Sequence, residues 1–430
     1  MEIDDGVRCS VPSPRICWKA AMKFESSKSF WAILLLVLIG VVAFPRYAWA
    51  DAGTPLMWAR MLHLVFGNAL IGLGEGLLLG WLFSVPKRKS VPVMILGNYA
   101  SAWIGGLIIS DAIVRALPMD LTNAWRWFWI MVVVSYCMTL ILEWPFVAWC
   151  LRGTQDWLRR SLWASLLVQS ASYVLLFGWY GMASGTSLYT TMNIVAPADL
   201  SLPESVLVYY IAPADGNVCR RQLVGGGEQK VYELHSTGRT DRLFVRPSTP
   251  DTNRWDLVAR LGSKYRGDLR FVDVLTNLQV EAAPDRRSTD TDPDADPMDE
   301  GRFTWGELPK LGSATNSQWE FWDGFWPKME LQALNKATSE RVGFRYETPF
   351  GALTVCNAVH LPSDKVLFQL GDDQICAFDP VTRRVALLWR GSGPVPVIDK
   401  VNVKQGEPAT GSQPIRSETN RTPSMPGSRR

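Results

Sequence analysis

The chain has 430 residues, of which 47% are hydrophobic and 20% are charged, and this length allows two or three domains. From residue 185 onward it carries 29 Lys and Arg against 31 Asp and Glu. This balance argues against a nucleic-acid-binding surface, which needs clustered positive charge. The seven cysteines include no CxxC pair, which argues against a zinc ribbon or a thioredoxin-like motif. We therefore expect no nucleic-acid partner, no metal and no cofactor.

Residues 1–50 contain the first apolar run, FWAILLLVLIGVVAF at 30–44, which is short for a membrane span of ~20 residues. Basic residues precede it, and the small-x-small sequence AWA at 48–50 follows it. This arrangement is typical of a secretory signal peptide, and a retained first transmembrane helix is the alternative. Met22 is an alternative start, because the stretch before it does not resemble the basic beginning of a signal peptide.

Four longer apolar segments within residues 51–184 predict a four-helix transmembrane domain. They cover residues 56–84, 91–110, 127–150 and 162–181. The loops at 87–89 and 152–160 are rich in Lys and Arg, whereas the alternate loops carry few, and positive charge marks the cytoplasmic side. We therefore expect a multi-pass protein of the cell membrane, in contact with the lipid bilayer. Its C-terminal region should be extracytoplasmic, and periplasmic in a bacterium with two membranes.

Five polar side chains interrupt these segments, although polar groups are energetically costly inside a membrane. Two are acidic, Glu75 and Glu143, and three are carboxamides, Asn68, Asn98 and Gln169. Counted from the basic loops at ~1.5 Å per residue, all except Asn68 lie at a similar depth, roughly 13–18 Å into the membrane. The sequence therefore predicts an intramembrane polar cluster to which four helices contribute.

The predicted cluster has two interpretations. In the first, Glu75 and Glu143 titrate and form a proton or ion site. In the second, the polar side chains hydrogen-bond one another and fix the register of the bundle, since no basic residue is available there for an ion pair.

Small residues form a stripe on each of two neighbouring segments, at a spacing of four residues. The two stripes are Gly72, Gly76 and Gly80, and Gly97, Ser101 and Gly105. Small side chains let two helix backbones approach closely. We therefore expect the segments at 56–84 and 91–110 to pack on one another through these stripes.

Residues 185–405 change to short strands separated by turns and predict a β-rich domain. Two hairpin units, VYYIAPADGNVCRRQL and ICAFDPVTRRVALLW, resemble the strand–turn–strand units of β-propeller blades. A third hairpin is predicted where VYELH and DRLFVR flank the turn STGRT. The pattern allows a propeller-like arrangement, and a β-sandwich is the alternative.

Local patterns add four expectations for this region. Residues 284–300 are an acidic linker, and residues 406–430 form a disordered tail rich in Pro, Ser, Gly and Arg. The tryptophans of WEFWDGFW, at 319, 322 and 326, have helical spacing and predict a core-facing helix, with a membrane-surface helix or a ligand platform as alternatives. An extracytoplasmic location also permits a disulfide, for which Cys356 and Cys376 are the expected pair.

The sequence contains no GxSxG, HExxH or paired-carboxylate motif, which argues against an enzyme. The first functional hypothesis is a membrane protein that presents its β domain for binding a small-molecule ligand or an envelope protein, or for organising the envelope. The alternative is a small transporter or proton-coupled channel that uses Glu75 and Glu143.

Overall fold

The computed structural model describes residues 55–105, 118–183, 192–248, 254–262, 268–283, 306–323, 330–348, 350 and 352–399. All of them belong to one compact unit, Gly53–Arg430. The predicted signal peptide or anchor, the acidic linker at 284–300 and the tail at 406–430 lie outside the described residues.

The N-terminal part of the described chain is a bundle of four helices. The first is continuous through a π-helical turn at His63–Gly67, and the elements are α1 (Pro55–Leu62), α2 (Asn68–Phe83), α3 (Lys87–Trp103), α4 (Ala124–Leu151) and α5 (Trp157–Ala183). Three stretches are long and apolar enough to cross a membrane, namely Ala59–Phe83, Ala124–Leu151 and Trp157–Gly181. The predicted segment at 91–110 is described only as far as residue 105, so part of it lies outside the described chain.

The outer surface of the bundle consists of exposed apolar side chains. Trp81 is 77% exposed, and Ile141, Val174 and Leu175 are about 70% exposed. A continuous apolar surface of this kind needs an apolar medium around it. The surface is therefore consistent with membrane association.

Basic side chains close the helix ends at one end of the bundle. Helix α2 ends at Ser84, which has a left-handed backbone (φ 59°), and Pro86 precedes α3. Lys89 Nζ donates to the carbonyls of Trp149 and Cys150 at 2.8 and 3.1 Å, at the C-terminal end of α4. Cations in this position satisfy free carbonyls and oppose the negative end of the helix dipole.

The first small-residue stripe brings α2 against the backbone of α3. A Cβ added at Gly72 would lie 2.5 Å from Ile95 Cα, and one added at Gly76 would lie 2.5 Å from Val91 Cα. Only glycine permits such an approach, and it lets Ser90 Oγ donate to the Gly76 carbonyl at 2.7 Å. Gly80 lies near the turn that joins the two helices.

The second stripe does not face α2, which corrects the expected pairing of the two stripes. A Cβ at Gly97 would meet the Phe146 ring of α4 at 3.2 Å, and one at Gly105 would meet the end of Met138 of α4 at 4.0 Å. Ser101 also bonds to α4, through Glu143. Helix α3 therefore lies between α2 and α4 and uses its small residues on α4.

The C-terminal part is the β domain. Its strands are β1 (Asn193–Ile194), β2 (Val206–Ile211), β3 (Val218–Gln222), β4 (Gln229–Tyr232), β5 (Arg242–Pro247), β6 (Trp255–Leu261), β7 (Arg270–Leu278), β8 (Val280–Ala282), β9 (Trp319–Asp323), β10 (Leu331–Asn335), β11 (Arg341–Phe344), β12 (Tyr346–Glu347), β13 (Ala352–Leu353), β14 (Val355–Leu361), β15 (Lys365–Leu370), β16 (Gln374–Asp379), β17 (Arg384–Arg390) and β18 (Ser392–Asp399).

These strands form four main sheets, which we name A (β5-β6-β7), B (β4-β3-β2-β18-β8), C (β1-β17-β16-β15-β14) and D (β11-β10-β9), together with the small pair β12-β13. Three hydrophobic clusters join A to B, B to C and C to D. Strand β2 shows why B is an inner layer: Val208 and Tyr210 face C, whereas Tyr209 and Ile211 face A.

The β domain is thus β-rich, as expected, and its described strands form no closed barrel. A closed ring of four blades would need hydrophobic contact between sheets A and D. Among the described residues no hydrophobic cluster joins these two sheets.

Two of the predicted hairpins are confirmed, and one is wrong. Strands β2–β3 and β16–β17 pair as antiparallel hairpins. Strand β4 pairs with β3, whereas β5 pairs with β6, so VYELH and DRLFVR belong to different sheets. The connection between them is held by Asp241, which accepts hydrogen bonds from the Gly238 and Gly262 amides and from Ser236.

The predicted tryptophan helix is also wrong, because Trp319–Asp323 is strand β9. Trp319 and Phe321 are buried in the core between sheets C and D, while Trp322 lies on the other face and is half-buried. Alternation with a period of two governs these residues, and the spacing of three between tryptophans is incidental. Residue 326 lies outside the described chain.

The expected disulfide is absent, since Cys356 and Cys376 are both free, buried thiols. Cys356 is on β14 and Cys376 is on β16, with β15 between them. Two strands apart means roughly 9–10 Å at ~4.8 Å per strand. A disulfide needs Cα atoms within ~7 Å, so this pair cannot close.

The chain segment that leads into α4 fastens the bundle to the β domain. Leu121 and Ala124 are buried in the same core cluster as sheets C and D. The Leu121 amide donates to Gln374 Oε1 at 2.8 Å, and Arg390 Nη2 pairs with Asp120 Oδ2 at 2.8 Å. The β domain is therefore held by packing and by polar contacts at the start of α4.

Candidate functional site

The bundle buries two carboxyl groups on two different helices. Glu75 of α2 is 3% exposed and Glu143 of α4 is 1% exposed. Gly72 and Gly76 flank Glu75 and bring α3 against α2, so that a neighbouring side chain can reach the carboxyl. In α4, Pro145 follows Glu143 by two residues and removes the amide that would bond to the Ile141 carbonyl.

Glu75 receives one hydrogen bond from α3. Asn98 Nδ2 donates to Glu75 Oε2 at 2.5 Å and also contacts the Met94 carbonyl of its own helix at 3.0 Å. Gln169 and Ser172 of α5 lie beside the same carboxyl. Glu75 Oε1 is nevertheless buried with no hydrogen-bond partner.

Glu143 is satisfied at both oxygens. Ser101 of α3 donates to Oε1, and Gln169 of α5 donates to Oε2. Ser172 Oγ in turn contacts the Gln169 carbonyl at 2.9 Å. The two carboxyls and these four polar side chains form what we call the polar cluster: Glu75, Asn98, Ser101, Glu143, Gln169 and Ser172.

The polar cluster unites four of the five predicted polar residues, one from each helix. Asn68 does not join it in the described contacts; its side chain is buried and donates to the Leu64 carbonyl at 3.1 Å, within the π-helical turn of its own helix. Depth along the helices was the signal that selected the four, and Asn68 was the residue at a different depth.

Sequence reasoning missed the role of Ser101, which was assigned to helix packing only. Its hydroxyl donates a hydrogen bond to Glu143. Ser101 follows Asn98 by three residues, so the two side chains leave α3 on adjacent parts of its surface and reach different helices. The Asn-x-x-Ser spacing was visible in the sequence, but a small side chain fits both roles.

The charge that the polar cluster can carry depends on the donors that contact its two carboxyls. In the described hydrogen bonds, every donor to the two carboxyls is a neutral amide or hydroxyl. Two charged carboxylates side by side in a dry interior would repel and would each lose solvation. The described geometry therefore suits a pair that carries fewer than two negative charges.

A hydroxyl network adjoins the polar cluster between α4 and α5. Tyr173 OH is 3.1 Å from both Ser135 Oγ and Thr139 Oγ1. Farther along, His63 Nδ1 lies 2.8 Å from Tyr180 OH. Two separate groups of polar contacts therefore lie between the carboxyls and the end of the bundle at which α4 begins.

The β domain contains buried polar groups of a different kind. Lys365 pairs with Asp379 at 3.1 Å, and Arg345 lies 3.2 Å from Glu330, with both partners largely buried in each pair. These pairs connect neighbouring strands and turns and are structural. His360 is fully buried, neither ring nitrogen has a hydrogen-bond partner, and burial lowers its pKa to about 4.

The described part of the chain contains no group of three or more His, Cys, Asp and Glu side chains arranged to hold a metal ion. Comparisons with protein-family models, with curated proteins and with solved structures give no match. The function is therefore argued from the residues of this chain.

Proposed function

We propose that this chain is a multi-pass membrane protein that presents its β domain on the extracytoplasmic side, where the domain binds a ligand or an envelope protein or organises an envelope complex. The observation that carries the proposal is the attachment of the β domain to the start of α4 through Asp120, Leu121 and Ala124. A domain attached in this way keeps one orientation relative to the bundle, as a binding module at a membrane surface requires.

Charge supports the proposed side of the membrane. The end of the bundle with Lys89 and Arg160 carries the basic loops, and both side chains bind helix carbonyls there. The β domain contacts the opposite end, where α4 begins. By the positive-inside rule the basic end is cytoplasmic, which puts the β domain outside.

Reporter fusions test the topology. Fusions after Ser90 and Gln155 should report a cytoplasmic location, and a fusion after Gly406 should report an extracytoplasmic one. A cytoplasmic reporter at Gly406 would overturn the proposal.

Site-specific photo-crosslinking in intact cells tests the binding role. A photoreactive residue at Val381 or Phe271, both exposed on the β domain, should give discrete protein or ligand adducts. Val174 is an exposed apolar position on α5 and serves as the matched control for contact with lipid. Adduct patterns that do not differ between the β-domain positions and Val174 would contradict a binding role.

A second candidate function is proton exchange by the Glu75–Glu143 pair, as in a small transporter or proton-coupled channel. It is favoured by Glu75 Oε1, a buried carboxyl oxygen without a partner, which is a position for a proton. The competing role is a brace, in which the same hydrogen bonds only hold the helices together.

Infrared spectroscopy separates the two roles. For a proton site, the difference spectrum between the parent protein and the Glu75→Gln and Glu143→Gln double variant, both in liposomes, should contain a carboxylic-acid C=O band that changes with pH. A brace predicts a band that does not change with pH. Circular dichroism of the double variant verifies that the bundle remains folded.

A further inference from the structure

Helix α5 carries a polar stripe that extends along nearly its whole length. The stripe consists of Ser161, Ser165, Gln169, Ser172, Tyr173 and Tyr180. At ~100° per residue these positions fall within about 120° of one helix face. From the first to the last the stripe is about 28 Å long at ~1.5 Å per residue, which is close to the ~30 Å thickness of a bilayer core.

The stripe faces the interior of the bundle. Its four members before Tyr173 are at most 5% exposed, whereas Leu175 on another face is 71% exposed. If the polar side chains of α5 served only to brace Glu143, they would be needed only at the level of that carboxyl. A stripe that continues above and below the carboxyls exceeds what a brace at Glu143 requires.

In the described part of the bundle, two buried polar atoms have no hydrogen-bond partner, namely Ser165 Oγ of α5 and Glu75 Oε1 of the polar cluster. Both belong to side chains that are at least 97% buried. Buried polar atoms without partners are rare, and each needs an explanation such as a transient bond to a mobile proton carrier. Ser165 precedes Gln169 by about one helical turn, and the Gln169 amide already donates to Glu143.

We propose that the α5 stripe is a proton-transfer route that connects the Glu75–Glu143 pair with the end of the bundle at which the β domain is attached, and that the proton is the species carried. This inference rests on the second proposed function, proton exchange by the two glutamates. The route leads from Glu143 to Tyr173 with Ser135 and Thr139, and then to Tyr180 with His63.

The chemistry of the route needs only O–H groups. A hydroxyl both donates and accepts, so a proton that arrives on one lone pair releases the hydrogen on the other side of the same oxygen. One O–H bond forms as another breaks, and no oxidant or reductant is involved. Between Tyr173 and Tyr180 the helix is apolar for about 10 Å at ~1.5 Å per residue, an interval that hydrogen-bonded water must bridge.

The groups that face the carboxyl pair favour a proton over a metal cation. Helix α3 contributes only neutral side chains, Asn98 and Ser101, and α5 contributes Gln169, Ser172 and the titratable Tyr173. The described hydrogen bonds of the two carboxyls involve no basic side chain. Asn98, Ser101 and Gln169 donate N–H or O–H groups to carboxyl oxygens, and these donors compete with a metal ion for the same lone pairs.

Proton flux into liposomes containing the full-length protein and an entrapped pH indicator tests the route. Tyr173→Phe and Tyr180→Phe should each slow the flux about tenfold or more, because each removes one relay hydroxyl. Tyr136→Phe and Ser170→Ala are the matched controls, since this pair bonds at 2.8 Å on the exposed side of α5 and should leave the flux unchanged.

The possible outcomes distinguish the proton-transfer route along α5 from proton exchange at Glu75 and Glu143. Flux that is lost in the double glutamine variant but retained in Tyr173→Phe and Tyr180→Phe would overturn the route and leave proton exchange intact. Flux no greater than in protein-free liposomes, together with an infrared band that ignores pH, would overturn both. Equal slowing by the control variants would also refute the route, because the effect would then not depend on the stripe.

Discussion

Gly76→Ala should separate α2 from α3, because the added carbon has no space. An ideal Cβ at this position lies 2.5 Å from Val91 Cα and 2.9 Å from its amide nitrogen, both backbone atoms. Carbon atoms in contact prefer ~3.5–4.0 Å, so the two backbones must move apart by about 1 Å. That displacement also stretches the 2.7 Å hydrogen bond from Ser90 to the Gly76 carbonyl.

The expected cost follows from these two effects. Overpacking a well-filled interior costs about 1–3 kcal/mol. A hydrogen bond between membrane helices contributes about 0.6 kcal/mol on average. Gly74→Ala is the matched control, since a Cβ there meets nothing within 4 Å. Both variants gain the same ~1 kcal/mol of helix propensity, so the difference between them should be about 2–4 kcal/mol.

Unfolding of the full-length protein by a denaturing detergent, followed by circular dichroism, measures that difference. Gly74→Ala should be as stable as the parent protein or more stable, and Gly76→Ala should be less stable than either. Equal free energies of unfolding for the two variants would refute the close contact of α2 with α3, and with it the access of Asn98 to Glu75.

Three further predictions concern the β domain and its attachment. Arg390→Ala should make the connection around Asp120 more sensitive to limited proteolysis while lowering stability by about 1 kcal/mol or less, because Arg390 is 39% exposed and solvent screens the pair. The folded-state pKa of His360 is lowered from 6.5 to about 4, so the unfolded chain binds a proton first as pH falls. The free energy of unfolding should therefore drop between pH 6.5 and 4, by up to about 3 kcal/mol. Thermal melts of the His360→Phe variant should lack this drop. Dithiothreitol should leave the melting temperature of the β domain unchanged, because Cys356 and Cys376 are free; a clear decrease would restore the disulfide hypothesis.

Depth along a helix was readable from the sequence, whereas rotation about the helix axis was not. A fixed rise per residue places Glu75, Asn98, Glu143 and Gln169 at one level without any knowledge of the partners. The partner of a small-residue stripe depends on how each helix is turned in the bundle. Gly97 therefore appeared to face α2, although it lies against Phe146 of α4.

In the β domain the local strand pattern was readable, but the sheet assignment was not. Hairpins close through a short turn, so β2–β3 and β16–β17 followed from residues next to one another. Sheet B, in contrast, pairs β2 with β18 from the far end of the chain. No local pattern encodes such a pairing, and the same limitation explains the disulfide assigned to cysteines on β14 and β16.

Helix α4 links the two candidate functions in one rigid element. It begins at Ala124, which is buried in the β-domain core, and it carries Glu143 about 28 Å farther on at ~1.5 Å per residue. A change in the bonds to Glu143 acts on this helix next to Pro145, where one backbone hydrogen bond is already absent. The β domain holds the other end of α4. A shift of the helix at the polar cluster therefore also strains the ion pair of Asp120 with Arg390. If both proposed functions hold, α4 connects them mechanically, and variants of Glu143 and Arg390 are the pair in which that connection is measurable.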